Sequence, residues 1–288
     1  MPSLKALRSR IKSVKNTRQI TKTMKMVAAA KVRRARMAVE NARPYAARLS
    51  GILGTIAGGA DASAPLLLTG RAHVATVCLV VCGSDRGLCG GLNSNLLKAA
   101  HQWVATRQAA GQTVKIVAVG RKIEAGMKST QPAALQKSFT DMGRNVEFAH
   151  AQTIAEYLLE QFTSGALDEV HLMSAHMVSM LTQQPTVQQL IPFARPAAAA
   201  GAVQTVPEFE PSEETVLEHL LPLNLNMQVF TALLESSASE QAARMTAMDS
   251  ATRNAGEMIK KLSVQYNRSR QAAITKELIE IISGAEAL

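Results

Sequence analysis

Aromatic side chains and cysteines are scarce in this sequence of 288 residues. Phe, Trp and Tyr make up 3% of it, so Ala, Val, Leu, Ile and Met must fill any core, as suits helices that pack closely. The three cysteines, Cys78, Cys82 and Cys89, form no CxxC motif. The first two would lie roughly 13 Å apart on one face of a strand, too far to bridge. A reducing compartment is the simpler interpretation.

The sequence also contains no stretch that could span a membrane, and acidic residues are scarce at the start of the chain. No run of 18 apolar residues is present, so we expect no membrane span, and residues 1–4 do not open a signal-peptide hydrophobic region. Residues 1–50 contain 14 Lys and Arg but one acid, Glu40, a net charge of +13 in a chain whose total is +10. The positive charge therefore belongs to one segment and not to the whole protein.

The clearest pattern that is present is a heptad repeat toward the end of the chain, which we call the heptad stripe. Its residues recur in steps of three and four without a slip, which predicts a helix in a left-handed coiled coil. Small and polar residues replace many of the expected Leu and Ile, so we expect a close contact that is not strongly apolar. The positions are Leu234, Ala238, Gln241, Met245, Met248, Thr252, Ala255, Ile259, Leu262, Tyr266, Ser269 and Ala273.

A very long helix is predicted at each end of the chain. The first begins after the N-cap Ser3 and ends near Gly58 and Gly59, with apolar residues at helical spacing that Arg18 and Thr21 interrupt. It would be on the order of 80 Å long. Near the other end, Pro222 is expected to break or kink a helix. After Asn224, the helix that carries the heptad stripe is expected to run to about Ser283, on the order of 90 Å. We expect the two long helices to pair antiparallel.

Between these helices, strands alternate with shorter helices. A continuous apolar run from Val74 to Cys82 is typical of a parallel strand buried on both faces. We therefore predict an α/β fold in which a long antiparallel two-helix coiled coil brackets a small doubly wound, mostly parallel, Rossmann-like domain. The predicted segments are 1–59 (N-terminal helix), 72–194 (α/β domain), 195–211 (connector) and 212–288 (C-terminal helix), with strands at 74–82, 114–119, 134–139, 167–174 and 187–193 and helices at 92–110, 121–128 and 146–162.

Beyond Ala273 the apolar residues spread around the C-terminal helix. They leave the stripe and cover more of the surface, although charged residues remain among them. Because this helix is expected to extend past its partner, its end needs a sleeve that other chains supply. The apolar residues are Ile274, Leu278, Ile279, Ile281 and Ile282.

A glycine-rich turn from Gly83 to Gly91 follows the first strand, where α/β folds often bind phosphates. It contains neither GxGxxG nor GK[ST], so we predict instead a turn that directs Asp85 and Arg86 outward. The six histidines show no metal spacing, and no catalytic arrangement stands out. We predict no metal, no cofactor and no catalytic site in this chain.

The basic first helix has two open interpretations. It could bind nucleic acid, although its segment contains one aromatic residue, Tyr45. Its Lys and Arg side chains would equally suit an acidic protein surface. A charge of +13 on one segment is hard to explain by solubility alone.

Four motifs together resemble the γ subunit family of F-type ATP synthases, and the resemblance covers essentially the whole chain in order. They are Ile20–Ala28, Asp85–Gly91, Ser239–Met245 and Tyr266–Leu278. The resemblance implies a central-stalk rotor: the coiled coil stands inside the ring of α and β subunits, and the α/β domain contacts the c-ring beside ε. It also implies that the chain performs no bond chemistry, and that nucleotide and Mg²⁺ are bound by partner subunits.

The resemblance also assigns residues to contacts. Expected contacts with the acidic collar of the β subunits are Lys22, Met24, Lys25, Arg33, Asp85, Arg86 and Cys89. Expected polar contacts with the ring are Gln241, Arg244, Arg270, Gln271, Thr275, Glu277 and Glu280. The apolar end held at the top of the ring is Ile274, Leu278, Ile281 and Ile282, and the c-ring contact is Phe209 and Glu210.

The implied location is the inner membrane of a bacterium, where the chain is peripheral on the cytoplasmic side, with no nucleic-acid partner. Two alternatives from other classes remain for testing. One is a nucleotide-dependent oxidoreductase with coiled-coil arms, against which the missing phosphate and ribose motifs argue. The other is a coiled-coil protein that binds nucleic acid through its basic helix.

Overall fold

The computed structural model describes residues 3–59, 65–141, 146–193 and 213–286. The chain divides into two compact units. One, here the coil unit, consists of the residues up to Ala29 and those from Arg244 onward. The other, here the sheet unit, is Ala30–Ala243. The helices are α1 (Leu4–Gly59), α2 (Leu66–Thr69), α3 (Leu92–Ala109), α4 (Arg121–Thr130), α5 (Phe148–Thr163) and α6 (Glu213–Glu286), and the strands are β1 (Thr76–Cys82), β2 (Thr113–Val119), β3 (Leu135–Phe139), β4 (Glu169–Met177) and β5 (Gln183–Ile191).

The sheet unit contains a five-stranded sheet in the order β3-β2-β1-β4-β5. Strand β1 lies at its centre and pairs in parallel with β2 and β4, while β5 is antiparallel to β4. Alternate residues of β1 enter two different apolar clusters. Val77, Leu79 and Val81 pack with α3 and α4, whereas Cys78, Val80 and Cys82 pack with α5 and with parts of α1 and α6. Burial of both faces explains the continuous apolar run in β1.

The predicted fold class is confirmed, with differences at the edge of the sheet. Strand β4 continues to Met177, and β5 begins at Gln183, four residues before the predicted start. The early part of β5 gave no apolar signal because it is rich in Gln and includes Pro185, which an edge strand tolerates. The four-residue helix α2 was not predicted.

Of the break or kink expected at Pro222, the break is wrong, because α6 continues through it as one helix of 74 residues, and the kink stays a prediction. An interior proline removes a helix hydrogen bond and costs about 3 kcal/mol. Three leucines around it, Leu217, Leu221 and Leu225, are each at most 2% exposed and belong to the core of the sheet unit. Full burial of such side chains contributes about 1.5–3 kcal/mol each, which offsets the cost of the proline.

The coil unit is an antiparallel pair of helical segments from α1 and α6. Lys25 Nζ lies 2.6 Å from Asp249 Oδ1, and Thr252 Oγ1 donates a hydrogen bond to Thr21 Oγ1 at 2.8 Å. Residue numbers therefore fall along α1 as they rise along α6. Thr21, expected to interrupt the stripe of α1, is only 8% exposed and belongs to the contact.

The heptad stripe is confirmed in both units. Every one of its positions is buried or half-buried. In the sheet unit, Leu234 and Ala238 pack against Val39 of α1. In the coil unit, Ala255 and Leu262 are each 8% exposed, whereas all six positions between them are exposed or half-buried. A narrow buried stripe on an otherwise exposed helix is the geometry that a 3.5-residue period predicts.

Candidate partner-binding surfaces

The turn from Gly83 to Gly91 joins β1 to α3 and is held by the side chain of Asn93. Asn93 Oδ1 accepts a hydrogen bond from Ser84 N at 3.2 Å, and Asn93 Nδ2 donates to Ser84 Oγ at 2.8 Å and to Cys89 Sγ at 3.2 Å. Ser84 Oγ donates in turn to Arg86 O at 2.7 Å. Gly83 is required because a Cβ there would lie 2.3 Å from Ile123 Cγ1. The hydrogen bonds of Asn93 and the close packing at Gly83 therefore hold the turn in one defined conformation.

The prediction that this turn directs Asp85 outward is wrong. Asp85 Oδ1 accepts hydrogen bonds from the backbone N–H groups of Arg121 at 3.0 Å and of Asp141 at 3.3 Å. Arg121 is the first residue of α4, so the carboxylate caps a helix N-terminus, where its negative charge is favoured. No local pattern indicates this contact, because the partners lie 36 and 56 residues away along the chain.

The other residues of the turn divide into exposed and buried ones. Arg86 is exposed, as predicted, and Leu88 is 62% exposed with a φ of 65°. Cys89 is 2% exposed, so we expect it to shape the turn and not to contact a partner directly. The predicted contacts of this turn with a partner remain a prediction, and Arg86 and Leu88 are its exposed side chains.

The predicted basic contacts of α1 belong to two units. In the coil unit Lys22 is exposed and Met24 and Lys25 are half-buried. The hydrogen bond from Lys25 lowers the pKa of Asp249, and the charges of Lys25 and Arg253 act in the same direction. Lys25 is therefore already paired within the chain. Arg33, in the sheet unit, is exposed.

The residues predicted to make polar contacts with a surrounding ring differ in exposure. Gln241 is half-buried, and its Oε1 is buried and accepts no hydrogen bond within the described part of the chain. Arg244 is half-buried. The more distal residues of the set are exposed: Arg270, Gln271, Thr275, Glu277 and Glu280. Thr275 Oγ1 donates a hydrogen bond to Gln271 O, and Glu280 forms an ion pair with Lys276. Both interactions lie within α6.

The apolar end of α6 has no cover within the described residues. Ile274 is 49% exposed and Ile281 is 71% exposed, with the remaining apolar residues of this end between these values. The set also includes Leu278, Ile279 and Ile282. Five large aliphatic side chains on one helix end form an apolar surface of the kind that marks a protein interface. The two residues predicted for the c-ring contact, Phe209 and Glu210, lie outside the described residues.

The crevice where doubly wound sheets bind ligands is filled by α6. In the order of this sheet the connections reverse direction between β1 and β4, and ligands bind such sheets beside the carboxyl ends of the strands at that point. Here Ser236 Oγ donates to Cys82 O at 3.3 Å and Ser239 Oγ donates to Ala175 O at 2.6 Å. Sequence reasoning missed this contact because the two serines resemble ordinary small residues of a coiled coil.

A second feature that sequence reasoning missed is a small cleft of the sheet unit. Its volume is about 220 Å³, and Arg36, Glu40, Arg43, His176 and Glu235 are among its lining residues. Glu235 accepts from His176 Nδ1 at 3.2 Å and lies 3.6 Å from Arg43. Such partly exposed pairs contribute little to stability, about 0–1 kcal/mol each. The cleft therefore brings together side chains of α1, β4 and α6, and its ion pairs contribute little to the stability of the sheet unit.

Burial favours the neutral forms of two cysteines and one histidine inside the sheet unit. Burial raises the pKa of the Cys78 and Cys82 thiols to about 12, so neither is a thiolate near neutral pH. Burial also lowers the pKa of His171. Among residues 3–59, 65–141, 146–193 and 213–286, no group of three or more His, Cys, Asp or Glu is placed to hold a metal ion. The absence of a cofactor and of a metal remains a prediction.

Among the described residues, none of the helices combines the length and the apolar character that crossing a bilayer requires.

Known proteins are similar to this chain over its whole length. The sequence model of the family described as ATP synthase matches residues 3–288. The ATP synthase gamma chain of Fuscovulum blasticum is 51% identical over 290 residues, and that of Ruegeria sp. (strain TM1040) is 51% identical over 292 residues. In both cases the match covers 100% of each chain.

Solved structures give the same picture at the level of the fold. The central stalk and c-ring structure of Tetrahymena thermophila mitochondrial ATP synthase contains a chain 28% identical, with a TM-score of 0.61, over 81% of this chain and 99% of that one. A chain of Euglena gracilis mitochondrial ATP synthase, from the OSCP/F1/c-ring structure in rotational state 3, is 21% identical with a TM-score of 0.70. It covers 99% of this chain and 94% of that one and shows the fold alone. The comparisons give no support to an oxidoreductase or a nucleic-acid-binding protein.

Proposed function

Because this chain belongs to the ATP synthase gamma chain family, we propose that it is the central-stalk rotor subunit of an F-type ATP synthase. In this role it transmits torque between the membrane c-ring and the catalytic ring of α and β subunits. Proton flow then drives ATP synthesis, or ATP hydrolysis drives proton pumping. The chain itself makes and breaks no bonds, and the nucleotides and Mg²⁺ are bound by its partners.

The observation that carries this proposal is the continuity of α6. It is one helix of 74 residues, about 110 Å long, whose first part is built into the core of the sheet unit. Apart from the bond that Pro222 removes, backbone hydrogen bonds join each turn of such a helix to the next, so twist applied at one part of the helix reaches the rest of it. A helix of this length exceeds what the core of a domain of this size can cover.

The exposed surfaces fit the expected partners. The apolar end of α6 suits an apolar sleeve at the top of the ring, and exposed polar residues such as Arg270 and Gln271 suit polar ring contacts that a turning shaft can break and remake. The exposed basic residues Lys22 and Arg33, with Arg86 of the turn, suit the acidic collar of the β subunits. The sheet unit is proposed to contact ε and the c-ring.

The mechanism follows from a difference in symmetry. A shaft of two helices presents unlike faces, whereas the ring around it repeats three times. Each orientation of the shaft therefore makes different contacts with each β subunit and stabilises a different conformation there. Rotation then changes the affinity of each catalytic site in turn, which is a population shift through differential contacts. The location proposed with this function is the cytoplasmic side of the bacterial inner membrane, as a peripheral part of the complex.

The test is to assemble the complete complex with this chain and to follow a probe on the sheet unit while ATP is hydrolysed. The α and β ring is fixed to a surface, and the probe is attached through Leu181→Cys, because Leu181 is 77% exposed and the three native cysteines are buried. Unidirectional rotation that depends on ATP is expected. Assembly and hydrolysis without any rotation of the probe would refute the rotor function.

A further inference from the structure

We propose that Ser236 and Ser239 are positioning residues that fix the angular setting of helix α6 in the ligand crevice of the sheet. Their hydroxyls donate to carbonyls of two different strands, Cys82 O of β1 and Ala175 O of β4. Both serines are buried, with exposures of 4% and 0%. This inference rests on the proposed function, because an angular setting matters for a helix that transmits torque.

The acceptors of both hydroxyls lie outside helix α6. A serine within a helix commonly donates to the carbonyl four residues earlier in the same helix. Here both hydroxyls donate across to the sheet. Since a buried carbonyl without a donor costs free energy, the two contacts also satisfy strand ends at the edge of the crevice. The hydroxyls therefore connect α6 to both strands that border the reversal point of the sheet.

Buried apolar residues surround the two serines on α6. They are Leu233 and Leu234 together with four alanines: Ala232, Ala238, Ala242 and Ala243. The alanines let the helix approach closely, and apolar contacts of either kind have no fixed direction. Hydrogen bonds are directional and weaken steeply when the angle departs from linear. The contacts of the two hydroxyls therefore depend more sharply on the angle of the helix than the apolar contacts around them do.

The two serines lie three residues apart on α6. Residues three apart lie on the same face of a helix, about 60° apart around its axis. A rotation that improved one bond would change the geometry of the other, since the acceptors belong to different strands. Two bonds in this arrangement define one angular setting, whereas a single bond would allow the helix to pivot.

The experiment measures the torsional stiffness of the shaft in the complete complex. The α and β ring is fixed, rotation is halted by withholding ATP, and the angular variance of the probe at Leu181→Cys is recorded. We expect Ser236→Ala with Ser239→Ala to raise the variance at least twofold, and Ser239→Ala alone to raise it less. Ser237→Ala, a serine of the same turn outside this pair of bonds, is the matched control and should leave the variance unchanged.

Hydrolysis rate and thermal stability are measured in parallel. If the serines had a purely structural role, their variants would lower the stability but leave the angular variance of the assembled complex unchanged. Ser239→Cys keeps the size and a weak donor and should restore part of the stiffness. Should the double variant fail to assemble, Ser236→Ala, which removes the longer bond, takes its place with the same expected direction. If the variance stays at the wild-type value, or if no serine variant assembles, the positioning role is refuted. Wild-type rotation under ATP shows separately that the rotor function itself holds.

Discussion

Replacing Asn93 by Ala should loosen the turn that carries Arg86 while the sheet unit stays folded. Asn93 is half-buried and its side chain holds Ser84 and Cys89 together. Removal leaves the backbone N–H of Ser84, a residue 1% exposed, without its side-chain acceptor. The hydroxyl of Ser84 keeps its own acceptor, the carbonyl of Arg86. The loss is therefore centred on one buried donor.

The size of the effect follows from that donor. A buried polar group left without a partner costs about 1–3 kcal/mol. Because 1.4 kcal/mol corresponds to a factor of ten, the turn should open about 5- to 150-fold more often. The core contacts of β1 and α3 are untouched, so the global free energy of unfolding should fall by no more than the same amount.

Hydrogen exchange of the backbone amides measures this opening directly. The amides of residues 84–89 should exchange about 5- to 150-fold faster in the variant, while those of β1 keep their protection. Asn95→Ala is the matched control, because Asn95 is an exposed asparagine on the next part of the same helix. Unchanged exchange in the turn, or equal acceleration by the control, would refute the reasoning that Asn93 holds this surface in shape.

Four further predictions concern other parts of the chain. Deleting the residues after Ile274 should weaken assembly or torque of the complex while circular dichroism shows a folded sheet unit; full activity of the truncated complex would contradict the role of the apolar end. Reversing the charge at Lys22, Lys25 and Arg33 together should lower ATP-driven proton pumping, and normal pumping would remove the proposed role of these residues in coupling. Gly83→Ala should lower the melting temperature through the 2.3 Å approach to Ile123, whereas Gly111→Ala, where a Cβ meets no atom within 4 Å but φ is 79°, should show strain alone. Since the pKa of Asp249 is lowered from 3.8, its pairing with Lys25 stabilises the coil unit above that pH. This stabilisation is lost as the pH falls through the lowered pKa, so Asp249→Asn should remove this part of the loss of helix content in acid.

The parts of the fold that were predicted correctly are those with a local signal. The heptad stripe is a repeat that is complete within one segment, and β1 is an apolar run that needs no partner to be recognised. Contacts between distant segments gave no comparable signal. Asp85 caps a helix that begins 36 residues later, and Ser236 bonds to a strand 154 residues earlier. Both residues have ordinary neighbours in sequence, so only the folded sheet brings their partners close.

Pro222 and Thr21 show a second reason for the errors. Each was interpreted by its intrinsic preference, a proline as a helix breaker and a threonine as a gap in an apolar stripe. In the structure, tertiary contacts outweigh both preferences: the leucines around Pro222 are buried in the core of the sheet unit, and Thr21 pairs with Thr252. Propensity predicts best where packing does not decide, and neither position is of that kind.

The same physical arrangement recurs at the polar contacts of both units. In the coil unit, the layers around Thr21–Thr252 and Lys25–Asp249 lie in an interface that includes Ala28 and Ala255, which by themselves would allow the helices to slide past each other. Polar residues within a coiled-coil interface fix its register, because a shifted pairing leaves their donors and acceptors unmatched. In the sheet unit, Ser236 and Ser239 donate directional hydrogen bonds within a contact to which Ala238, Ala242 and Ala243 also contribute. Small residues thus permit close approach, and directional hydrogen bonds select one position from the many that such smooth contacts allow.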